Sequence, residues 1–448
     1  MKDESMNTEQ VLEMLSKTSK GAVRQTKRNC LTVLENDPML KDAFRYNILT
    51  ERTDIVKSLG WKRYSTVLTD TDMNHLYLYF EDQYDLTNEK NIRSAIQVAA
   101  DNNQYHPIRD YLNNLEWDGT ERIRYALNKY LGSDTNDLTY ESLKLFMLGA
   151  INRVFHPGCK FEIMLCLVGG QGAGKSTFFR FLALKDEWFT DDLKRLDDEN
   201  VYRKLQGHWI IEMSEMIATA NAKSIEEIKS FISRQKETYK VPYETYPADR
   251  LRQCVFGGTS NNIQFLPFDR SGNRRFIPVM TDLSKAKVHI LDNEDEARAY
   301  IDQLWAEAMN IYLTEKSPLK LSKEMQKMLE SYQQNFMSED TTAGIIQAFL
   351  DDYKEDYVCT MLLYREALGH MLDKPKRWET NEISDIMNSS INGWKPGPTK
   401  RFNKYGTQRS WERIKIENAN GECKQASENE QLLLDEFTEI IDNSGVPF

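Results

Sequence analysis

No run of apolar residues in this sequence approaches the roughly 18–20 needed to span a bilayer. The longest candidate, Ile163–Val168, has the length of a strand. The N-terminal stretch MKDESMNTEQ contains no apolar leader-like region, so no membrane partner and a cytoplasmic location are expected. The six cysteines (Cys30, Cys159, Cys166, Cys254, Cys359 and Cys423) are scattered, with no C-x-x-C pair. That spacing points away from zinc and disulfide frameworks and towards reduced thiols. Positive charge is also in deficit: 58 Lys and Arg stand against 69 Asp and Glu, for a net charge of −11. A wholly basic nucleic-acid coat is thereby excluded, although a local basic face is enough to bind DNA. There is no internal repeat and no low-complexity tract. What remains is ordinary globular composition, 40% hydrophobic and 28% charged over 448 residues, which excludes wholesale disorder. A chain of this length buries a sizeable core and holds about two to four domains.

Pattern divides the chain into four segments. Residues 1–150 are expected to be mainly helical, with Asn91–Asp101 and Leu143–Val154 carrying apolar residues at helical spacing. From 151 to 335 the texture changes to short apolar strands alternating with helices: Ile163–Val168, Ser176–Ala183, Trp209–Ile211, Ile225–Ile232 and Cys254–Gly257. Such alternation predicts an α/β domain with parallel strands and crossover helices. Residues 336–416 form a smaller unit of two helical stretches, Leu362–Leu372 and Thr380–Ile391, before a predicted hairpin. The last segment, 417–448, carries eight acids against Lys424 alone.

The strongest signal is Gly169-Gly170-Gln171-Gly172-Ala173-Gly174-Lys175-Ser176, followed by Thr177, a full match to G-x-x-x-x-G-K-[ST]. An apolar strand enters it and an amphipathic helix leaves it. The glycines let backbone N–H groups close around phosphate oxygens, and the helix N-terminus adds partial positive charge. Lys175 is placed for the β/γ-phosphates and the Ser176 hydroxyl for Mg²⁺. The loop alone leaves kinase, GTPase and ATPase open.

Later residues narrow that choice. His208-Trp-Ile-Ile-Glu212-Met-Ser-Glu215 is an apolar strand ending in two acids. One is expected to organise Mg²⁺ and the other the attacking water; Glu212 is assigned to the metal side and Glu215 to hydrolysis. Cys254–Asn262 is a strand ending in small polar residues, where Asn261, or else Asn262, would reach the γ-phosphate or its water. Arg274 and Arg275 follow a loop, and one of them would serve as an arginine finger inserted in trans.

These motifs, in this order and spacing, resemble the virulence-associated protein E family. Those are phage- and genomic-island-encoded P-loop ATPases similar to superfamily 3 replicative helicases of the AAA+ class. The resemblance also rests on Trp117-Asp118-Gly119 with Arg122-Ile123, on Ile228-Lys229-x-Phe231, and on Gly272-Asn273-Arg274-Arg275-Phe276-x-Pro278. It implies an AAA+ core with a parallel sheet, ATP with Mg²⁺, a ring oligomer expected to be a hexamer, movement along DNA, and a bacterial host cell. Some larger relatives carry a primase domain, for which there is no room before the Trp-Asp-Gly segment. That segment taken by itself reads as a capped turn before a helix.

Two stretches are candidates for DNA contact. Superfamily 3 enzymes place a basic-tipped hairpin between the acid and asparagine strands. Here that region offers Lys240, Arg250 and Arg252, with Tyr243 or Tyr246 for stacking. The second stretch is Trp394–Lys415, where Lys395, Lys400, Arg401, Lys404, Arg409, Arg413 and Lys415 face only Glu412. Helix, helix, basic hairpin is the order of a winged-helix-like domain, in which the wing meets phosphate and the Asn381–Ser390 helix enters a groove. The leading expectation is therefore a DNA-dependent ATPase and replicative helicase of a mobile element. Its rivals are an ATP-switched DNA-binding or assembly protein that does not unwind, and a small-molecule P-loop kinase.

Overall fold

The computed structural model describes residues 7–193, 196, 201–215, 222–239, 248–266, 273–315, 318–337, 341–370 and 373–414, with the short strands at 416–417 and 423–424. They fall into two compact units, one running to 337 and the other from 341 onward. Among them, no helix is long and apolar enough to cross a membrane, and Cys30, Cys159, Cys166, Cys254 and Cys359 are free thiols.

The first unit begins with helices α1 (Thr8–Met14), α2 (Lys27–Asn36), α3 (Asp70–Tyr84) and α4 (Glu89–Asp101). A small sheet accompanies them: β1 (Phe44–Asn47) pairs antiparallel with β2 (Arg52–Ile55) and parallel with β3 (Gln104–Tyr105). These strands carry no clean alternation and were not expected in a mainly helical region. The apolar stripe of α4, Ile92, Ala95, Ile96 and Ala100, closes this core with Leu76 and Phe80 of α3.

Helices α5 (Pro107–Asn113), α6 (Ile123–Leu131) and α7 (Asp137–Phe155) belong to a different core. They pack with α8 (Lys175–Leu182) and α11 (Glu294–Glu315) on one face of a five-stranded parallel sheet. Its strands are β4 (Met164–Val168), β5 (Phe189–Thr190), β6 (Ile210–Ser214), β9 (Val255–Ser260) and β10 (Phe276–Met280), in the order β10-β4-β9-β6-β5. β4 is buried along its whole length. Leu165 and Leu167 face the α7–α8–α11 side. Met164, Cys166 and Val168 face α9 (Val201–Leu205) and α10 (Ala222–Ile232). Both faces are covered, which is why the strands read as continuous apolar runs. Gly257 of β9 allows the Phe179 ring to lie against the backbone; a Cβ there would meet that ring at 2.5 Å. Ile228 and Phe231 are core residues of α10, so part of the Ile228–Phe231 motif is explained by packing.

The Trp117–Gly119 segment is likewise structural. The Trp117 indole N–H donates to Thr120 O, and Asp118 holds Arg122 at 2.6 Å. From α11, Glu307 accepts the backbone N–H groups of Arg122 and Ile123, satisfying the start of α6 across 184 residues of sequence.

The second unit runs α13 (Thr341–Asp352), β11 (Tyr357–Val358), α14 (Thr360–Leu362), α15 (Arg377–Ser389), then β12 (Trp394–Phe402) and β13 (Gly406–Arg413). Its antiparallel sheet has the order β11-β13-β12. The hairpin is present where the sequence puts it. The helix expected over Leu362–Leu372 is shorter: α14 continues as a π-turn to Ala367 and stops. There the chain turns at Gly369, whose φ of +78° is left-handed. The acidic segment from 418 onward lies almost wholly outside the described residues.

Candidate functional site

Parallel pairing sets the carboxyl ends of β4, β6 and β9 side by side, with Val168 opposite Ser260 and Ser214 opposite Thr259. Ligands of open α/β sheets bind beyond those ends. The Gly169–Lys175 loop closes there over a cleft of about 370 Å³. Gly169 is required by space: a Cβ would meet Thr281 O at 2.3 Å. Gly172 and Gly174 sit at φ of +79° and +78°, in the left-handed region.

Lys175 is nearly buried, and its Nζ donates to Gly169 O and Gly170 O, both at 2.8 Å, and to Asn261 Oδ1 at 2.9 Å. Desolvation pulls the ammonium below its ordinary pKa, opposed by the charges of Glu215 and Glu212. Ser176 Oγ donates to Glu212 Oε1 at 2.7 Å, and Thr259 Oγ1 donates to the same oxygen at 2.6 Å. Burial raises the Glu212 carboxyl, and these two hydrogen bonds oppose the rise. Its other oxygen, Oε2, is buried without a hydrogen-bond partner. An oxygen left unpaired beside the Ser176 hydroxyl suits a hydrated divalent cation, so the residues present fit Mg²⁺. Among the described residues, no cluster of three or more His, Cys, Asp or Glu forms a separate metal site.

Glu215 follows β6 with φ of +53°, a left-handed conformation that costs a non-glycine residue roughly 1–2 kcal/mol. Its Oε1 accepts the Asn261 N–H at 2.8 Å. The two acids expected from sequence thus take different partners, Glu212 the Ser176 side and Glu215 the Asn261–Lys175 side. Asn262 turns away, its N–H bonded to Ser260 Oγ. Thr259, which holds Glu212, lies within the Cys254–Asn262 strand end without standing out in the sequence. His289 and Leu291 also line the cleft, and no motif marks either.

Arg274 and Arg275 precede β10 at its amino end, where Phe276 is paired with Met164 at the start of β4. The Gly169–Lys175 loop lies at the opposite end of β4, roughly 13 Å away at 3.3 Å per residue. Both arginines contact Glu162, at 3.3 and 3.6 Å. Arg275 also donates to Ser233 Oγ at 2.9 Å and is 23% exposed, whereas Arg274 is 59% exposed.

Arg250 and Arg252, expected at a DNA-facing hairpin, sit at its base. β7 (Lys236–Tyr239) and β8 (Ala248–Leu251) do form a hairpin. The Arg252 side chain is only 1% exposed, pairs with Glu237 and donates to Phe231 O. Its guanidinium lies 4.8 Å from the Phe231 ring centre. Arg250 pairs with Glu51 and is 12% exposed. Both arginines anchor the hairpin base rather than present charge to a ligand. Lys240, Tyr243 and Tyr246 lie outside the described residues. Replacing Arg252 with alanine leaves the buried Glu237 only its longer contact with Arg234, at 3.6 Å, and is expected to destabilise the fold by about 3 kcal/mol. Urea unfolding measures this, and a variant of wild-type stability that loses DNA binding would restore the original assignment.

In the second unit, Lys395, Lys400, Arg401, Lys404 and Arg409 are all exposed on the hairpin. Lys395 contacts Glu412 at 2.9 Å, Lys404 reaches Glu366 at 3.6 Å, and Lys400 Nζ lies over the Tyr357 ring. Helix α15, expected in a DNA groove, carries Arg377 against Glu379, Glu382 and Asp385. That acidic balance disfavours a phosphate-lined groove and leaves the hairpin as the basic element.

A family model described as the virulence-associated protein E-like domain matches residues 112–338, half of the chain. Among solved structures, the apo structure of the NrS-1 C-terminal region (305–718) is similar with a TM-score of 0.50. It is 15% identical over 86% of this chain and 99% of that one. The A-form apo structure of the same region gives a TM-score of 0.46 and 13% identity, over 83% of this chain and 96% of that one. No curated protein matches the chain.

Proposed function

We propose that this chain, which belongs to the virulence-associated protein E-like family, is an ATP-hydrolysing motor acting on DNA, with the helicase-like AAA+ organisation that its motifs imply. One observation carries the reading: Lys175, Asn261 and Glu215 form one connected network, with Ser176 and Glu212 beside it, at the carboxyl ends of three adjacent parallel strands. A surface salt-bridge array has no need of the strained Glu215 backbone. The winged-helix-like reading of the second unit draws its support from the order α13, β11, α14, α15, β12, β13 and from the basic hairpin.

The chain's own groups divide the chemistry. Lys175 exchanges two loop carbonyls and Asn261 for β/γ-phosphate oxygens, a trade of neutral acceptors for charged ones. Mg²⁺, when bound, supplies charge neutralisation across the phosphates. Ser176 and Glu212 hold that side of the site, and Thr259 keeps Glu212 in place. Glu215, on the far side of Lys175, accepts the proton of the attacking water while Asn261 orients it. An arginine at the amino end of β10 is too far to serve its own cleft, so it acts on that of a neighbouring copy in a ring oligomer.

Glu215→Gln is expected to retain ATP binding and lose about 10²–10⁴-fold in turnover, the usual contribution of a general base. Glu212→Gln is expected to raise the Mg²⁺ concentration needed for half-maximal rate. Titrating Mg²⁺ for both variants separates the roles, and the opposite pattern exchanges them.

For DNA, reversing Lys400, Arg401 and Lys404 is expected to flatten the log–log salt dependence of duplex binding by roughly two to three units, at about −0.9 per phosphate contact. Basal ATPase is expected to persist. An unchanged slope would remove the hairpin as a DNA site. The function itself is tested by ATPase rates with and without DNA alongside ATP-driven unwinding of a forked duplex. ATP-dependent binding with no unwinding would favour an ATP-switched assembly protein.

A further inference from the structure

The segment after β10 returns to the phosphate loop and is rigidly held there. Thr281 N–H donates to Val168 O at 2.7 Å, and Asp282 N–H donates to Leu131 O at 2.9 Å. The Lys287 and Val288 N–H groups both reach Lys129 O, at 2.9 and 3.2 Å. Ile290 is fully buried in the core shared with α6, α7 and α8. A tight turn closes over it: Asp292 N–H donates to His289 O at 3.0 Å, and His289 N–H donates to the Asp292 carboxylate at 3.1 Å.

With Ile290 pinned inward, its neighbours His289 and Leu291 are presented to the cleft, which both of them line together with Gly174, Lys175 and Thr177. Leu291 is 47% exposed. An aliphatic side chain left open on a fixed platform, beside a polar cradle, is not accounted for by packing. His289 is equally specific. Its Nδ1 accepts the Leu291 N–H at 3.3 Å, so the ring proton resides on Nε2. That nitrogen lies 3.9 Å from where a Cβ on Gly174 would stand. A hydrogen-bond donor and an apolar face are thus set at the helix end of the loop. Phosphate is held by Lys175, Ser176 and backbone N–H groups, none of which distinguishes a nucleotide from inorganic polyphosphate.

We infer that His289 and Leu291 form the nucleoside subsite of this cleft. Leu291 packs against the base, and His289 Nε2–H donates to an acceptor on the nucleoside or its α-phosphate. They determine that the site takes a nucleoside triphosphate and not a bare polyphosphate. This rests on the nucleotide-binding reading above. It goes further by naming residues that no phosphate-loop motif contains.

The test compares ADP with inorganic tripolyphosphate, each titrated calorimetrically with Mg²⁺ into full-length protein, Leu291→Ala and His289→Ala. Leu291→Ala is expected to weaken ADP about tenfold, the loss of a partly buried aliphatic contact, while tripolyphosphate affinity is unchanged. His289→Ala is expected to move the same way. Thermal melts of both variants are expected to match wild type, since both side chains face the cleft. ADP affinity unaltered in both variants, or ADP and tripolyphosphate weakened equally, would overturn the subsite. Wild-type protein that binds tripolyphosphate as tightly as ADP would overturn it too, while leaving the phosphate loop standing. Wild-type protein that binds neither would overturn the nucleotide reading itself, and the subsite with it.

Discussion

Lys175→Ala is expected to lower ATP turnover by at least about 10³-fold, the scale lost when a preorganised charge on the transferring phosphoryl group is removed. The reason lies in the geometry. Lys175 is the one basic side chain among those lining the cleft whose ammonium reaches both the loop carbonyls and Asn261. Asn261, one of its three acceptors, lines the open cleft, so water can enter where the ammonium stood, and the fold is expected to keep its melting temperature. The measurement is phosphate release under saturating Mg-ATP, paired with a thermal melt. A folded Lys175→Ala protein with wild-type turnover would detach the loop from catalysis.

The second large effect is expected at Arg274. An arginine finger is worth about 10³–10⁵ in turnover, and Arg274 has the properties of one acting between copies. It is 59% exposed, and its contact with Glu162 at 3.3 Å is a surface pair, worth little and easily surrendered. Arg275, by contrast, is tied to Ser233 as well. Arg274→Ala is therefore expected to abolish ATPase while leaving stability and ATP binding intact. Mixed with wild type, it is expected to poison activity more steeply than dilution alone. Wild-type activity is expected to rise faster than linearly with protein concentration as copies assemble. Mixtures that lose activity only in proportion to the mutant fraction would make Arg274 structural.

Much of the site is contiguous in the chain, and that part is readable without a structure. The loop from Gly169 to Thr177 is specified by glycines whose backbone angles and close approaches are local properties, and by an apolar strand and a helix on either side. The parallel strands follow from equally local continuous apolar runs, and the C-terminal hairpin from turn residues between basic and aromatic stretches. The small sheet β1–β3 was not legible, because its strands are short and take their stability from α4, which packs on it from elsewhere in the chain.

Charged residues taken singly were the least readable, since the fate of a charge depends on what the fold brings to it. Arg250 and Arg252 sit in a stretch whose composition suits DNA. Glu51 and Glu237 meet them there, and burial converts both into struts. Glu212 and Glu215 are three residues apart in one strand end. Only the pairing of β6 with β9 gives one of them to Ser176 and Thr259 and the other to Asn261. His289 and Leu291 carry no motif at all; their place in the cleft comes from backbone hydrogen bonds to Lys129 and Leu131, about 160 residues earlier. By itself the sequence determined that a glycine-rich loop, Gly169–Lys175, joins a strand to a helix of a parallel sheet. Which partners the acids, arginines and cleft-lining side chains meet was decided by tertiary structure, because solvation and hydrogen bonding are set by neighbours in space.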